Sequence, residues 1–399
     1  MKGMRVALAA TAVGLLPTSA FAQEPVKLGV LTDLSGAYAD FGGPGSVLAA
    51  QMAAEDFGGK VLGRPIVVVG GDHLNKADVG AGLARRWFEA EGVHAIFDLP
   101  NSGVALAVQD LGAQFKKIVV TSGAVSMDLT GKKCSPTGFH WTTDSYALSR
   151  GATRAVVKQG YDTWYYITVN LGGGTSLEAD SEAEMTPLGG KVLGRVRHPV
   201  NTSDFSSYLL QAQSSKAKVV AFANGGADTV NAIKGANEFG LVKGGQKLVA
   251  MYFNVGDVKS LGLQVAQGLT FMEAFYWDMD DQTRAFSRRF YERRKAMPSS
   301  YQAGVYSAAA HYLKAVAAAG TDDGSTVAAK MRELPVEDFF AKRGVVRKDG
   351  RMVHDMYLME AKKPDESKGE WDLNKLIAKI PGNDAFRPIA DGGCPLIGG

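Results

Sequence analysis

Short apolar runs alternate with helical stretches twice over in this 399-residue chain, and that double alternation constrains the fold more than any other feature. In the first series the apolar runs are Val26–Leu31, Pro65–Gly71, Val93–Leu99 and Ile118–Val120. Helical pattern separates them at Ser46–Phe57, Ala77–Ala90 and Val104–Phe115. A helix at Ala147–Gln159 opens the second series. Runs at Thr163–Val169, Lys191–Val196, Val219–Phe222, Lys247–Phe253 and Leu269–Ala274 follow, spaced by helices at Leu177–Met185, Phe205–Gln213 and Thr229–Phe239. Strands that occur singly between helices predict parallel, doubly wound α/β sheets with right-handed crossovers.

Beyond Trp277 the pattern is helical (Thr283–Arg294, Gln302–Ala319, Ser325–Glu333). Two short strands, Val345–Val346 and Met356–Glu360, then lead through a polar segment, Lys362–Gly369, to a tail. Helices with no strands of their own are expected to return to the first sheet, and the last strands to the second. The expected organisation is two lobes: 23–143 with 278–344, and 144–277 with 345–380, with 381–399 as a tail tied to the first. Three crossings, near Thr142–Tyr146, Phe275–Asp278 and Gly344–Arg351, make a hinge, and the cleft between the lobes is the expected pocket.

Residues 1–22 read as a secretory leader. Lys2 and Arg5 form a basic start, Val6–Leu16 an apolar core, and Ala20-Phe21-Ala22 a small-x-small cleavage site, so the mature chain is expected to begin at Gln23 outside the cytoplasm, in the periplasm. The apolar core falls short of the roughly 20 residues that span a bilayer. The roughly 377 residues that remain are too many for one core, which again points to two lobes. An exported chain meets an oxidising environment, so Cys134 and Cys394 read as one disulfide, the alternative being two free thiols. Net charge is only +3, and the basic clusters Arg85-Arg86, Arg288-Arg289 and Arg293-Arg294-Lys295 have acids nearby. They read as solvated helix faces rather than a nucleic-acid surface.

Chemistry-bearing residues gather where strands hand over to helices, the place where open α/β sheets bind ligands. The first such loop, within Val26–Gly45, carries Tyr38 and Phe41. Later strand ends carry Asn101-Ser102, Ser122-Gly123-Ala124, Leu171 before Gly172-Gly173-Gly174, Asn224-Gly225, and Asn254 with Asp257. The six histidines form no H-E-x-x-H pattern, and no G-x-S-x-G elbow occurs. The triple glycine follows a strand but lacks a phosphate-loop lysine and the G-x-G-x-x-G spacing. No catalytic residue, metal site or cofactor is expected. An enzyme on the same fold remains the rival reading.

The opening VKLGVLTDLSGAYADFGGPG, the strand ends PNSGVAL and VTSGAVS, the hinge-like FHWTTDSYAL, and the segments FSSYLLQAQSSKAKVVAFANGG and QAGVYSAAAHYLKAV occur in an order that resembles the type I periplasmic substrate-binding proteins, in their leucine/isoleucine/valine-binding branch. The resemblance covers nearly all of the mature chain. It implies two Rossmann-like lobes joined by a three-stranded hinge, a solute bound between them, and delivery to an ABC-type permease in the inner membrane by a monomer without catalytic activity. A ligand-sensing subunit for a membrane partner is the other role this fold serves. Carried over residue by residue, the resemblance puts a ligand carboxylate at Asn101, Ser102, Ser122, Gly123 and Ala124, with Tyr38 and Phe41 as a side-chain wall and Asn224 opposite. Leu171 stands where the family usually has an aromatic. Asn254 stands where amino-acid binders usually place the carboxylate that pairs the ammonium, with Asp257 a turn later. Ser102 and Ser122 can also serve as helix caps.

The expected ligand is therefore a small carboxylate with an aromatic or branched aliphatic body. Tyr38, Phe41, Tyr146, Tyr276 and Trp277 are candidates to line its apolar slot, against plain core packing as the alternative for each. The expected mechanism is docking on the first lobe, followed by closure of Leu171, Asn224 and Asp257 over the ligand.

Overall fold

A computed structural model describes residues 24–398; the leader and its cleavage site lie outside the described residues. The chain begins with β1 (Val26–Thr32), α1 (Gly43–Asp56), β2 (Lys60–Val61), β3 (Arg64–Asp72), α2 (Ala77–Glu89), β4 (Val93–Asp98), α3 (Ser102–Phe115), β5 (Ile118–Thr121) and β6 (Gly138–His140). It continues with α4 (Ser145–Lys158), β7 (Thr163–Val169), α5 (Gly172–Met185), β8 (Lys191–His198), α6 (Ser206–Ser214), β9 (Val219–Gly225), α7 (Ala227–Glu238), β10 (Lys247–Tyr252), α8 (Val255–Leu261), α9 (Leu263–Ala266) and β11 (Thr270–Glu273). The last third holds α10 (Asp281–Arg294), α11 (Ser300–Ala319), α12 (Gly324–Glu333), β12 (Val345–Val346), β13 (Met352–Val353), β14 (Met356–Ala361), β15 (Asn374–Ile380) and α13 (Gly382–Ala385).

The first sheet has the order β2-β3-β1-β4-β5-β6, parallel except for the β2–β3 hairpin; the second has the order β10-β9-β7-β8, all parallel. Helices cover both faces of the inner strands, so β5 and β9 are buried along their whole length, while the edge strand β8, and β3, which the short β2 covers only at Arg64 and Pro65, largely alternate exposed and half-buried residues. Each sheet reverses its winding direction once, between β1 and β4 and between β7 and β9. Those two switch points are where ligands enter folds of this kind, and both open into the same cleft.

Three elements depart from the sequence-based expectation. Leu269–Ala274 does form a strand, β11, but it pairs antiparallel with β14 in a separate three-stranded sheet, β11-β14-β15, instead of extending the second parallel sheet. β15 falls in a stretch read as tail approach; its exposed Leu376 and Ile377 between lysines hide the strand pattern. β6 lies inside the stretch read only as hinge.

Crossings between the sheets occur after β6, after β11 and around β12–β13. Fully buried Arg351 pins two of them together. Its Nη2 donates to the carbonyls of Trp141 at 2.7 Å and Thr142 at 2.9 Å, and its guanidinium lies 4.1 Å over the Phe386 ring. Trp141 in turn donates from its indole to Ser307 Oγ on α11 at 3.1 Å. Cys134 and Cys394 are bonded, with Cα atoms 5.6 Å apart, so the tail is fastened beside the loop that precedes β6.

Candidate binding cleft

Asp33, at the end of β1, shapes the first wall of the cleft. Its carboxylate accepts from the backbone N–H groups of Gly36 at 2.7 Å and Tyr38 at 3.0 Å and from Asn75 Nδ2 at 2.5 Å, which curls residues 33–42 into a tight loop. Helix α11 holds the far side of that loop: Ser299 Oγ donates to the Phe41 carbonyl at 2.6 Å, and Gln302 Nε2 donates to the carbonyls of Asp40 and Gly42. Tyr38 and Phe41 are thereby fixed inward. They meet Tyr252, from the end of β10, and Tyr301, from the first turn of α11. Phe41 and Tyr301 stack at 5.3 Å between ring centroids, and Phe41 meets Tyr252 edge-on at 4.6 Å. Tyr38 lies edge-on to Tyr252 at 6.3 Å, so four rings from both lobes make one floor. Burial pushes the phenols of Tyr38, Tyr252 and Tyr301 above their ordinary range, which keeps them protonated donors.

Above this floor lies a cavity of about 20 Å³, room for roughly one water, between the two switch points. Tyr38, Pro100, Asn101, Ser102 and Val125 form one wall, and Val169, Leu171, Gly173, Gly174, Leu177, Asn224, Gly225 and Tyr252 the other. A larger molecule reaches this space only when the lobes part. Among the described residues no charged side chain lines it. Asn101 caps α3, its Oδ1 accepting from Gly103 and Val104 N–H. Ser102 is 5% exposed and its hydroxyl has no hydrogen-bond partner among the described residues. Asn224 is committed elsewhere: Oδ1 accepts from Thr229 Oγ1 at 2.6 Å, and Nδ2 lies 2.9 Å from His198 Nε2.

The lobes touch directly around this cavity. Ala37 N–H donates to Asn201 Oδ1 at 3.0 Å, and the Ala37 carbonyl accepts from Ala227 N–H at 3.1 Å. Tyr252 Oη donates to the Gly123 carbonyl at 2.6 Å. Beside this clasp, Asp228 accepts from Asn201 N–H at 3.2 Å, and burial raises its carboxyl to about 7.

The structure brings Tyr38, Asn101, Ser102, Leu171 and Asn224 to the cavity wall and places Phe41 directly behind it. Ser122, Gly123 and Ala124 are not on the wall. Asp98 and Leu99 adopt left-handed backbone, with φ of 83° and 59°, and the Asp98 carbonyl takes the N–H groups of both Ser122 and Gly123. Two of the backbone donors expected for a carboxylate are thus already used, while the Ser122 hydroxyl stays buried and unpartnered off the wall. Gly123 packs on Pro100, and the Ala124 carbonyl binds His140. Asp257 closes a capping box with Asn254 at the head of α8, where it is buried and turned inward. Tyr146 accepts a hydrogen bond from Arg150 at 2.6 Å, and Tyr276 and Trp277 both donate to the Trp371 carbonyl; none of the three lines the cavity. Sequence reasoning missed Tyr252 and Tyr301. The available signal was a phenol hydroxyl at the end of the otherwise apolar β10, and a second one just behind the Ser299 cap.

Comparison with known proteins agrees with this geometry. Residues 25–370 match a family model described as periplasmic binding protein. A periplasmic binding protein from Burkholderia mallei superposes with a TM-score of 0.91 at 47% identity, over 93% of this chain and 99% of that one. A branched chain amino acid ABC transporter periplasmic ligand-binding protein from Burkholderia xenovorans LB400 superposes with a TM-score of 0.82 at 43% identity, again over 93% and 99%. Among curated proteins, a Leu/Ile/Val-binding protein homolog from Brucella melitensis is 25% identical, covering 91% of this chain and 94% of its own length.

Proposed function

Since the chain belongs to the periplasmic binding protein family, we propose that it is the extracytoplasmic solute receptor of an ABC importer, exported with cleavage after Ala22 and acting as a monomer without covalent chemistry. Its ligand is a small carboxylate with an aromatic or branched aliphatic body. Closure of the two lobes buries that ligand, and the closed form is what the inner-membrane permease reads.

The observation that carries this reading is the chemistry of the wall. Both switch points open on one space floored by Tyr38 and Tyr252, backed by Phe41 and Tyr301, sided by Val125, Leu171 and Leu177, and free of charged side chains among the described residues. An apolar body fits such a surface. The polar groups that remain uncommitted there are the Ser102 hydroxyl, which can donate, and the uncapped backbone N–H groups at the start of α5, and donors suit an anion. An α-ammonium would need an anionic partner, yet no carboxylate lines this space and Asp257 is turned into the α8 cap. Acids without an amino group are therefore expected to bind more tightly than the matching amino acids.

A thermal-shift panel on the mature protein tests this, with benzoate, 4-hydroxybenzoate and 3-methylbutanoate set against leucine, valine and phenylalanine, followed by titration calorimetry of the hits. A ligand that binds only the folded state raises the melting temperature by mass action. Shifts with the acids that exceed those with the amino acids are expected. Shifts with amino acids alone overturn the ligand class, and no shift with any carboxylate overturns the assignment of this cleft.

A further inference from the structure

We propose that the ligand's carboxylate is held chiefly by the second lobe, on the free backbone N–H groups of Gly172, Gly173 and Gly174 at the head of α5, with Ser102 Oγ closing on it from the first lobe. The inference rests on the carboxylate-receptor reading and adds where the charge sits.

Helix α5 starts at Leu171, whose side chain cannot cap, and no side-chain cap is present. The first three N–H groups of the helix, those of Gly172, Gly173 and Gly174, have no partner among the described residues, whereas Thr175 N–H already returns to the Leu171 carbonyl. Orphan donors at the positive end of a 14-residue helix attract an anion. The second observation stands across the cavity. Ser102 is 95% buried by its 5% exposure, its hydroxyl is unpartnered, and it points at the same spot: a Cβ added at Gly173 would sit 3.1 Å from Ser102 Oγ and 3.2 Å from Val125 Cγ2. At the first-lobe alternative the Asp98 carbonyl occupies the N–H groups of Ser122 and Gly123, and neither residue, the unpartnered Ser122 hydroxyl included, reaches the cavity wall.

The glycines themselves fit this use. Glycine is a poor helix former, and three in succession weaken the first turn of α5. At Gly173 and Gly174 a side chain would fill the space toward Ser102 or strike the Val169 carbonyl, at 2.5 Å from the Gly174 Cβ position. Gly172 is different, since nothing lies within 4 Å of its Cβ position. It is the N1 residue, preceded by an extended Leu171 at φ −133°, ψ 157°. Proline is tolerated at N1 after an extended residue and lacks the N–H, so Gly172→Pro deletes one proposed donor with little other change.

The test measures the affinities of benzoate and of benzamide, its neutral counterpart, for the wild type, Gly172→Pro, Gly172→Ala and Ser102→Ala by calorimetry. Gly172→Ala keeps the N–H and is the reference that carries the effect of the added side chain, so the loss in Gly172→Pro is read against it. Gly172→Pro and Ser102→Ala are each expected to lose roughly tenfold or more for benzoate, as for removal of a hydrogen bond to a charged group, and to lose distinctly less for benzamide, whose carbonyl accepts the same bonds without a charge. Benzoate binding within twofold of wild type in both variants overturns the placement while leaving the receptor reading intact. Should Gly172→Pro fail to fold by its circular-dichroism melt, the acid-to-amide ratio of Ser102→Ala decides, and an unchanged ratio overturns the placement. A wild type that binds neither benzoate nor 3-methylbutanoate overturns the placement together with the reading beneath it.

Discussion

Gly226 is where closure can be blocked by a single methyl group. It lies at the start of α7 with φ 61° and ψ −138°, and a Cβ there would lie 2.0 Å from the Ala37 carbonyl oxygen across the cleft. Real Cβ contacts do not fall below 3.0 Å, so Gly226→Ala must push the two backbones apart by about 1 Å, the difference between those two distances. The clasp runs through the same residue: Ala227 N–H to Ala37 O at 3.1 Å, and Ala37 N–H to Asn201 Oδ1 at 3.0 Å. A retreat of that size takes both out of hydrogen-bond range. At about 0.5–1.5 kcal/mol net for each bond, the closed form loses about 1–3 kcal/mol relative to the parted form, which makes neither. Affinity for any ligand that depends on closure should then fall about 5- to 150-fold. The left-handed backbone adds strain of about 1–3 kcal/mol to parted and closed forms alike. That part shows as a lower melting temperature without ligand and does not enter the affinity. Calorimetry with the tightest acid gives the affinity, and small-angle scattering gives the compaction on binding. Wild-type affinity within twofold, with unchanged compaction, would refute the argument.

Other regions give independent tests. Replacing both Cys134 and Cys394 by Ser removes a cross-link between residues 260 apart in sequence. Unfolding in urea should show a loss of about 2–5 kcal/mol with ligand affinity retained, and equal stability would contradict the structural role. Arg351→Met removes the buried cation that faces Asp144 at 3.5 Å. It leaves an uncompensated buried carboxyl, so a destabilisation of about 3–5 kcal/mol is expected in the same assay, and a loss under 1 kcal/mol would refute it. Burial raises Glu273 from 4.5 to about 8, with Val255 N–H and Ser300 Oγ on its two oxygens. The folded state therefore holds this proton more tightly than the unfolded chain, so its contribution is full below pH 4.5 and is lost as pH climbs to about 8. Melting temperature should fall over that window, less steeply in Glu273→Gln, and parallel curves for the two proteins would sink the assignment.

The sequence carried the architecture because its main signal is local. Apolar runs such as Val93–Asp98 and Val219–Gly225 are continuous since both sheet faces are covered, and each is punctuated by a loop. β15 was lost because its strand pattern is broken by solvent-facing lysines, and β6 because three residues beside a hinge have no period to read. For the site, loop chemistry pointed to Tyr38, Asn101, Ser102 and Leu171, which the structure places on the cavity wall, since a strand end at a switch point is a statement about topology. It failed at Ser122 and Gly123. Whether an N–H is free depends on where the Asp98 carbonyl points, and that follows from left-handed backbone at the end of the neighbouring strand β4. It failed at Tyr276 and Trp277 for a related reason: their partner, the Trp371 carbonyl, lies over ninety residues on.

Closure also separates two kinds of contact that a binding constant alone merges. The Ala37 clasp and the Tyr252–Gly123 bond join the lobes without any ligand, and at about 0.5–1.5 kcal/mol each these three bonds favour the closed form by up to about 4.5 kcal/mol. Against them stands the approach of the α3 and α5 N-termini, each equivalent to about half a positive charge. A ligand can shift this balance only by binding the closed form better than the parted one. An anion placed between the two helix ends turns their repulsion into attraction, whereas a neutral ligand of the same shape leaves the repulsion in place. The acid is therefore selected at closure, after encounter. Tyr252→Phe makes the distinction measurable. It deletes a ligand-independent bond, so it should weaken benzoate and benzamide by the same factor, about 5-fold or more for a loss of about 1 kcal/mol. Loss of donors that contact the carboxylate should instead weaken benzoate more than benzamide. A Tyr252→Phe effect confined to the acid would mean that the phenol belongs to the anion site, and the separation drawn here would fail.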